Sequence, residues 1–142
     1  RRGGDAVFDR VPPHDDEAEM AVLGGMLLSK DAIGEVSQMI DVTDFYQPKH
    51  QTIYEAIIDL FSNSQNVDVV IVANQLMKDG NLDKVGGADY LHTLVAFVPT
   101  AANATYYAEI VHQRAILRNV IAAGTKIAQL GYSAEARRPK TW

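Results

Sequence analysis

The sequence predicts an all-α protein, with a compact helical head followed by one long C-terminal helix. Three observations support this class. Apolar residues recur at steps of three, four and seven, which is the period of a helix face. Residues that cap or open helices, such as Ser29, Pro48 and Asp68, stand directly before these periodic stretches. We find no hairpin signal, in which two alternating apolar runs flank a short turn.

Length and composition set the limits of this fold. The chain has 142 residues and is 47% hydrophobic, which is enough for one domain with a real core. Every apolar run is interrupted well short of the ~18 residues that a membrane span needs, and no signal peptide is visible. The chain has no cysteine. That excludes a disulfide scaffold and thiolate metal ligands, and it is compatible with a cytoplasmic protein.

The net charge of −5 conceals an asymmetry. Residues 15–89 carry 14 acids and 4 bases, a net charge of −10, whereas residues 103–130 carry one acid and three bases, a net charge of +2. Tight phosphate binding needs a clustered basic surface. The charge pattern therefore disfavours a freestanding nucleic-acid-binding module. It suits simple solvation or a partner with a basic face.

The first helix is predicted from about Asp15 to Leu28, after a flexible leader at residues 1–14 that ends in Pro12-Pro13. The acids of its first turn are expected to balance the helix dipole; they are Asp15, Asp16, Glu17 and Glu19. This helix is apolar nearly all round, so it is expected to be buried on several sides. Gly24-Gly25 in its middle predict close backbone contact with a crossing helix, since glycine is otherwise unfavourable there.

Four further helices complete the predicted head, which spans residues 15–97. They run from Lys30 to about Ile40 after the cap Ser29, from Pro48 to Ser62, from Val69 to Lys78, and from Ala88 to about Phe97. The β-branched run at Val69–Val72 alone favours a strand. The cap Asp68 and the stop at Asp79-Gly80 favour a helix instead.

The long helix is predicted over Asn103–Leu130, within a linker and long-helix segment at residues 98–133. Its apolar stripe contains Ile110, Leu117, Val120, Ile121 and Ile127. A second stripe repeats every seven residues; this alanine stripe is Ala101, Ala108, Ala115 and Ala122. Small residues at this spacing let another helix approach. We therefore predict helix packing or oligomer contacts at Ala108, Ala115, Ala122 and Leu117. Packing on the chain's own domain is the alternative for the first half, and the half beyond Arg118 is expected to project as an arm.

Catalytic chemistry is not evident in the sequence. The four histidines lie far apart, without a His-x-x-x-His pair, and each is expected to be a surface or capping residue. Neither a phosphate-binding loop nor a Gly-x-Ser-x-Gly elbow occurs. The sequence therefore offers no set of residues with which a small helical enzyme could carry out catalysis. We predict an interaction module with no catalytic, cofactor-binding or metal-binding residues.

Several motifs, taken together, resemble the N-terminal domain of bacterial replicative helicases of the DnaB family. The resemblance covers about residues 10–133 in order. It is carried by Pro12-Pro13 with the segment 17–28 (EAEMAVLGGMLL), by Asp44-Phe45-Tyr46 with His50, by 85–91 (VGGADYL), and by 99–111 (PTAANATYYAEIV) with Leu117-Arg118.

This resemblance implies a fold and a function. The fold is an all-α head followed by a helical hairpin, whose first arm matches the long helix. The implied function is the collar of a hexameric helicase, built as a trimer of dimers, which binds primase through positions that fall on Tyr90, Ile121 and Ile127. Self-packing is the alternative for these three residues. ATP, Mg²⁺ and most DNA contacts belong in this family to a separate motor domain, and the cytoplasmic replication fork is the implied location.

One segment departs from the family pattern. The family continues into a second hairpin arm after Gly131-Tyr132-Ser133. Residues 134–142 are basic and contain Pro139, so they are expected to be a tail of non-native origin.

Overall fold

The computed structural model describes residues 10–137, and this part of the chain is helical, with no strand. Six α-helices follow one another: α1 Asp16–Leu28, α2 Lys30–Ser37, α3 Pro48–Ser62, α4 Val69–Lys78, α5 Gly87–Phe97 and α6 Ala104–Ala136. Three short 3₁₀ turns connect them at Val42–Asp44, Asp83–Val85 and Ala101–Asn103. The all-α prediction is confirmed. None of the described helices is both long and apolar enough to cross a membrane.

Local capping chemistry explains where these helices begin. The side chains of Asp15, Ser29 and Asp68 each accept a hydrogen bond from a backbone amide three residues on, at 2.9, 3.3 and 2.9 Å. Such bonds satisfy an amide that the first helical turn would otherwise leave unpaired. Pro48 opens α3, where a missing N–H is harmless. The predicted caps are thus confirmed, and the β-branched run starting at Val69 is helical.

The contacts divide the chain into two compact units. The first unit is His14–Ala115, and the second contains residues 10–13 and 116–137 of the described part. In the first unit, α1 lies centrally and packs against α2, α3 and α5. The largest fully buried apolar side chains are Phe45, Leu23, Met26, Ile33, Ile53, Ile57, Leu76, Leu91 and Leu94. Ala104, Ala108 and Val111 of α6 join this core. For that reason the first unit extends past the boundary predicted at Phe97.

Gly24 and Gly25 lie where α1 comes close to α5 and to the start of α6. A Cβ on Gly24 would overlap the carbonyl oxygen of Leu94 in α5, and it would lie 3.0 Å from the carbonyl carbon of the same residue. A Cβ on Gly25 would lie 3.1 Å from the Cβ of Ala104. The predicted close contact at this glycine pair is confirmed, since a larger residue at Gly24 has no room.

Two helix ends differ from the prediction. The helix α2 ends at Ser37 rather than near Ile40, and turn hydrogen bonds continue to Ile40, which is still buried. The helix α6 has 33 residues and continues to Ala136, beyond the predicted end at Leu130. Ala134, Glu135 and Ala136 favour a helix, and no proline occurs between Ala104 and Pro139. The leader at residues 1–9 and the end of the tail at 138–142 lie outside the described residues.

Candidate protein-interaction sites

A buried polar network joins three helices of the first unit. Glu19 of α1 and His50 of α3 are each only 1% exposed, and Oε1 of Glu19 lies 2.7 Å from Nδ1 of His50. On its other side, Nε2 of His50 lies 2.6 Å from the hydroxyl of Tyr90 in α5. Among the described residues, no buried side-chain nitrogen or oxygen lacks a hydrogen-bond partner. Burial of the Glu19 carboxylate is therefore compensated by hydrogen bonds.

The same carboxylate holds the N-terminus of α3. Oε2 of Glu19 accepts a hydrogen bond from the backbone amide of Tyr46 at 2.6 Å, and Oε1 accepts one from Gln47 at 3.3 Å. Gln47 is the N-cap of α3, and its own side chain makes no capping bond. A negative charge is favourable at this end of a helix dipole. Glu19 thus supplies from α1 the cap that the local sequence of α3 lacks.

Tyr90 is held by several neighbours in a half-buried position. Its ring lies nearly parallel to the His50 imidazole, with centroids 5.9 Å apart and an interplanar angle of 13°. Nζ of Lys49 lies 4.0 Å from the Tyr90 ring centroid. Burial raises the pKa of Tyr90 to about 12, and the charges of Asp16 and Glu19 act in the same direction. The phenol is therefore neutral near pH 7 and can donate its proton to His50.

A small cavity borders this network. It has a volume of about 220 Å³ and is lined by Asp16, Met20, Gln47, Lys49, His50 and Tyr90. Because the lining includes an acid, a base and an aromatic ring, this surface offers polar and apolar contacts side by side. The first unit thus presents a partly exposed aromatic residue, fixed in place next to a lysine.

The second unit exposes a series of large apolar side chains. Beyond Ala115, seven of them in α6 are exposed by 46–79%. They are Ile116, Leu117, Val120, Ile121, Ile127, Leu130 and Tyr132. Large apolar side chains exposed in this number on one helix are typical of interaction surfaces.

Ile121 also lines a cavity within the second unit. Its volume is about 670 Å³, and its lining residues are Arg10, Val11, Pro12, Pro13, Arg118, Ile121, Ala122 and Thr125. The Arg118 guanidinium donates a hydrogen bond of 2.8 Å to the carbonyl of Pro13. The two prolines are therefore fixed beside the middle of α6.

A comparison with protein-family models identifies the family of the chain. The model described as DnaB-like helicase N terminal domain matches residues 11–113. The chain belongs to this family.

Relatives and solved structures agree with that assignment. The chain is 53% identical over 134 residues to a replicative DNA helicase DnaB from Leifsonia xyli subsp. xyli, covering 94% of this chain and 29% of the relative. The crystal structure of the N-terminal domain of DnaB helicase from Mycobacterium tuberculosis matches with a TM-score of 0.85 and 53% identity, covering 86% of this chain and 85% of that one.

A third match is more distant. It is a structure described as a DnaB-like replicative helicase and its interactions with primase, with a TM-score of 0.72 and 28% identity, covering 81% of this chain and 27% of that one. The chain thus spans less than a third of the curated relative's length. It corresponds to the N-terminal domain of DnaB and not to the ATPase motor domain.

The residues predicted to bind a partner fall in both units of this DnaB N-terminal domain. Tyr90 belongs to the first unit, whereas Ile121 and Ile127 belong to the second, where they are 54% and 69% exposed. Tyr90 also takes part in self-packing through His50. Partner binding by all three stays a prediction.

The alanine stripe divides between two environments. Ala108 and Ala115 are buried within this chain, at 0% and 5% exposure, so the close packing that their size permits is intramolecular. Burial within this chain therefore accounts for small side chains at these two positions without a second chain. Ala122 and Leu117 are exposed in the second unit, and an oligomer contact there stays a prediction.

One prediction about a polar residue is wrong: His50 is neither a surface nor a capping residue, because it is buried. Glu19 lies in the first turn of α1, as the dipole argument expects, but it is also buried. The sequence feature that could have predicted the burial of Glu19 is its position within a helix that is apolar nearly all round. Of the other histidines, His112 lies 3.0 Å from Asp44 and His14 stacks on Tyr46. Within the described residues, no group of three His, Cys, Asp or Glu side chains is arranged to hold a metal ion.

Proposed function

We propose that this chain is the collar domain of a hexameric replicative DNA helicase, where it organises the oligomer and recruits primase. The observation that carries the proposal is the series of seven exposed apolar side chains on α6. Apolar surface on this scale is expected to be covered by a partner. The 28%-identical DnaB-like helicase that is described with its interactions with primase supports primase as one such partner.

Assembly is the second part of the proposal. Ala122 and Ile127 lie five residues apart on α6, so they are offset by about 140° around the helix at 100° per residue. A second helix approaching the alanine side at Ala122 would therefore leave Ile127 available for primase. In the whole helicase, dimers of this domain would form the hexamer collar. ATP and Mg²⁺ would bind in the motor domain, which would also make most DNA contacts in the cytoplasm.

The test compares two α6 variants with a matched control. We expect Ile127→Asp to weaken binding of the cognate primase C-terminal domain by ~2 kcal/mol or more, because an unpaired charge would enter the interface. Ile121→Asp should reduce primase binding and self-association together. Val70→Asp is the control, since Val70 of α4 is 65% exposed and thus similar to Ile127 in exposure.

Binding is measured by calorimetry, self-association by light scattering and helicity by circular dichroism. We expect far-UV helicity to stay unchanged in all three variants, and Val70→Asp to bind primase like the parent chain. If Ile121→Asp and Ile127→Asp also bound primase like the parent chain, α6 would not be the docking surface. If either variant lost its fold, that residue would belong to the core.

A further inference from the structure

We propose that His50 and Glu19 are positioning residues, which hold Tyr90 in the orientation that primase recognises. This inference rests on the proposed function, because it assigns a role to residues behind Tyr90, one of the positions that the family resemblance implies for primase binding. His50 and Glu19 are each only 1% exposed, so a partner meets Tyr90 far more than either of them. Their effect on binding would pass through Tyr90.

The direction of each hydrogen bond follows from what its partners can donate. Glu19 accepts hydrogen bonds from two backbone amides, which have no alternative role, so its carboxylate serves as an acceptor. Nδ1 of His50 therefore carries the proton that it shares with Glu19. In the neutral imidazole this leaves Nε2 as an acceptor, and the hydroxyl of Tyr90 donates to it. The one hydroxyl proton of Tyr90 is thus used within the chain.

Tyr90 is also restrained at its ring. Nζ of Lys49 lies 4.0 Å from the ring centroid. The His50 imidazole lies nearly parallel to the ring, with centroids 5.9 Å apart. The side chain is therefore restrained at its ring and at its hydroxyl.

This arrangement has a consequence for recognition. A partner that binds Tyr90 meets an aromatic side chain whose rotamer is already fixed, and less conformational entropy is lost on binding than for a free tyrosine. The partner is expected to contact the ring, because the hydroxyl proton is committed to His50. Loss of the restraint should weaken binding about 3- to 10-fold, which corresponds to ordering one side chain.

The experiment is a double-mutant cycle on primase binding. The variants are Tyr90→Phe, His50→Gln and the pair together, each titrated with the cognate primase C-terminal domain at a temperature where the chain stays folded. We expect each single variant to weaken binding about 3- to 10-fold. The double variant should be no weaker than either single one, because both remove the same restraint.

Two further variants separate the possible explanations. Tyr54→Phe is the matched control, since it also removes a hydroxyl with a buried hydrogen bond, here 2.8 Å to the carbonyl of Ile40. It should lower stability but leave primase affinity unchanged. Tyr90→Ala tests the proposed function itself, because it removes the ring.

The outcomes of these variants separate the docking role of Tyr90 from the positioning role of His50 and Glu19. If Tyr90→Ala binds like the parent chain, Tyr90 is not a docking residue and both the assignment and this inference fail. If Tyr90→Ala weakens binding while Tyr90→Phe and His50→Gln do not, docking stands and positioning is wrong. Fully additive losses in the double variant would also overturn positioning.

A spectroscopic measurement tests the network without primase. Nitrogen-15 NMR of the parent chain should show His50 with a protonated Nδ1 and an unprotonated Nε2, and Tyr90→Phe should shift the Nε2 resonance. A neutral His50 protonated at Nε2 instead would overturn the inference. This measurement and Tyr90→Phe decide the question even if His50→Gln does not fold.

Discussion

Replacing Gly24 by alanine should destabilise the first unit strongly, although alanine is the better helix former. The added Cβ would overlap the Leu94 carbonyl oxygen and would lie 3.1 Å from Cγ2 of Val98. Relief of the overlap requires movement of α5 away from α1, because the obstructing oxygen is part of the backbone. A side chain could have rotated away, whereas the helix backbone cannot.

The magnitude follows from two opposing effects. Overpacking in a close-packed core costs ~1–3 kcal/mol, and we take the upper value because backbone must move. The higher helix propensity of alanine stabilises the folded state by up to ~1 kcal/mol relative to glycine. The net loss is therefore ~2 kcal/mol. For a unit of roughly 100 residues this lowers the melting temperature by ~10 °C.

Two other glycine substitutions provide graded controls. Gly25→Ala should change stability by less than ~1 kcal/mol, since its Cβ would meet the Ala104 side chain at 3.1 Å and the propensity gain offsets this contact. Gly34→Ala should be neutral or stabilising, because its nearest neighbour, Cζ of Phe61, lies at an ordinary 3.7 Å. Gly25→Leu should cost ~1–3 kcal/mol.

Thermal and urea unfolding, followed by circular dichroism, measure all four variants. The expected order of stability is Gly34→Ala, then Gly25→Ala, then Gly24→Ala. A melting temperature for Gly24→Ala equal to that of the parent chain would refute the inferred contact between α1 and α5. Equal losses in Gly24→Ala and Gly34→Ala would show that the loss at Gly24 does not come from the overlap with Leu94, because Gly34 has no such overlap.

Two further predictions concern pH and helix capping. Burial, followed by nearby carboxylates, raises the pKa of Tyr54 and of Tyr90 from 10.0 to about 12. Their neutral forms therefore stabilise the fold fully below pH ~10, and this contribution is lost as the pH rises towards ~12. The urea midpoint should fall between pH ~10 and ~12, and it should fall less steeply with pH in Tyr54→Phe than in the parent chain. An equal steepness in the two would contradict the raised pKa of Tyr54. Asp68→Ala should cost ~1 kcal/mol through loss of its 2.9 Å cap to Ile71, whereas Asp68→Asn should stay within a few tenths in the same unfolding assay.

Helix starts and helix type were predictable because they depend on neighbours in the sequence. Ser29 and Asp68 bond to amides three residues on, so the cap and its target are read from one short segment. Even the β-branched run after Asp68 is correctly predicted as a helix. The end of α6 was not predictable in this way, since Gly131 does not stop a helix that is followed by Ala134 and Glu135.

Periodicity likewise identified a face of α6 suited to helix packing, but not which helix packs against it. The seven-residue step of the alanine stripe marks small residues on one side of α6. It does not tell whether that side packs within the chain or against another chain. In the folded chain Ala108 joins the core of the first unit and Ala115 is buried, whereas Ala122 stays exposed.

The sequence by itself therefore determined the all-α class, the capped starts of the helices and the need for glycine in α1, because each depends on local chemistry or on one helix face. Only the tertiary structure revealed the network of Glu19, His50 and Tyr90. Glu19 and His50 are 31 residues apart, and His50 and Tyr90 are 40 residues apart, so no local pattern links them. A buried carboxylate is stable only when several donors converge on it, and that convergence exists only once α1, α3 and α5 have packed together.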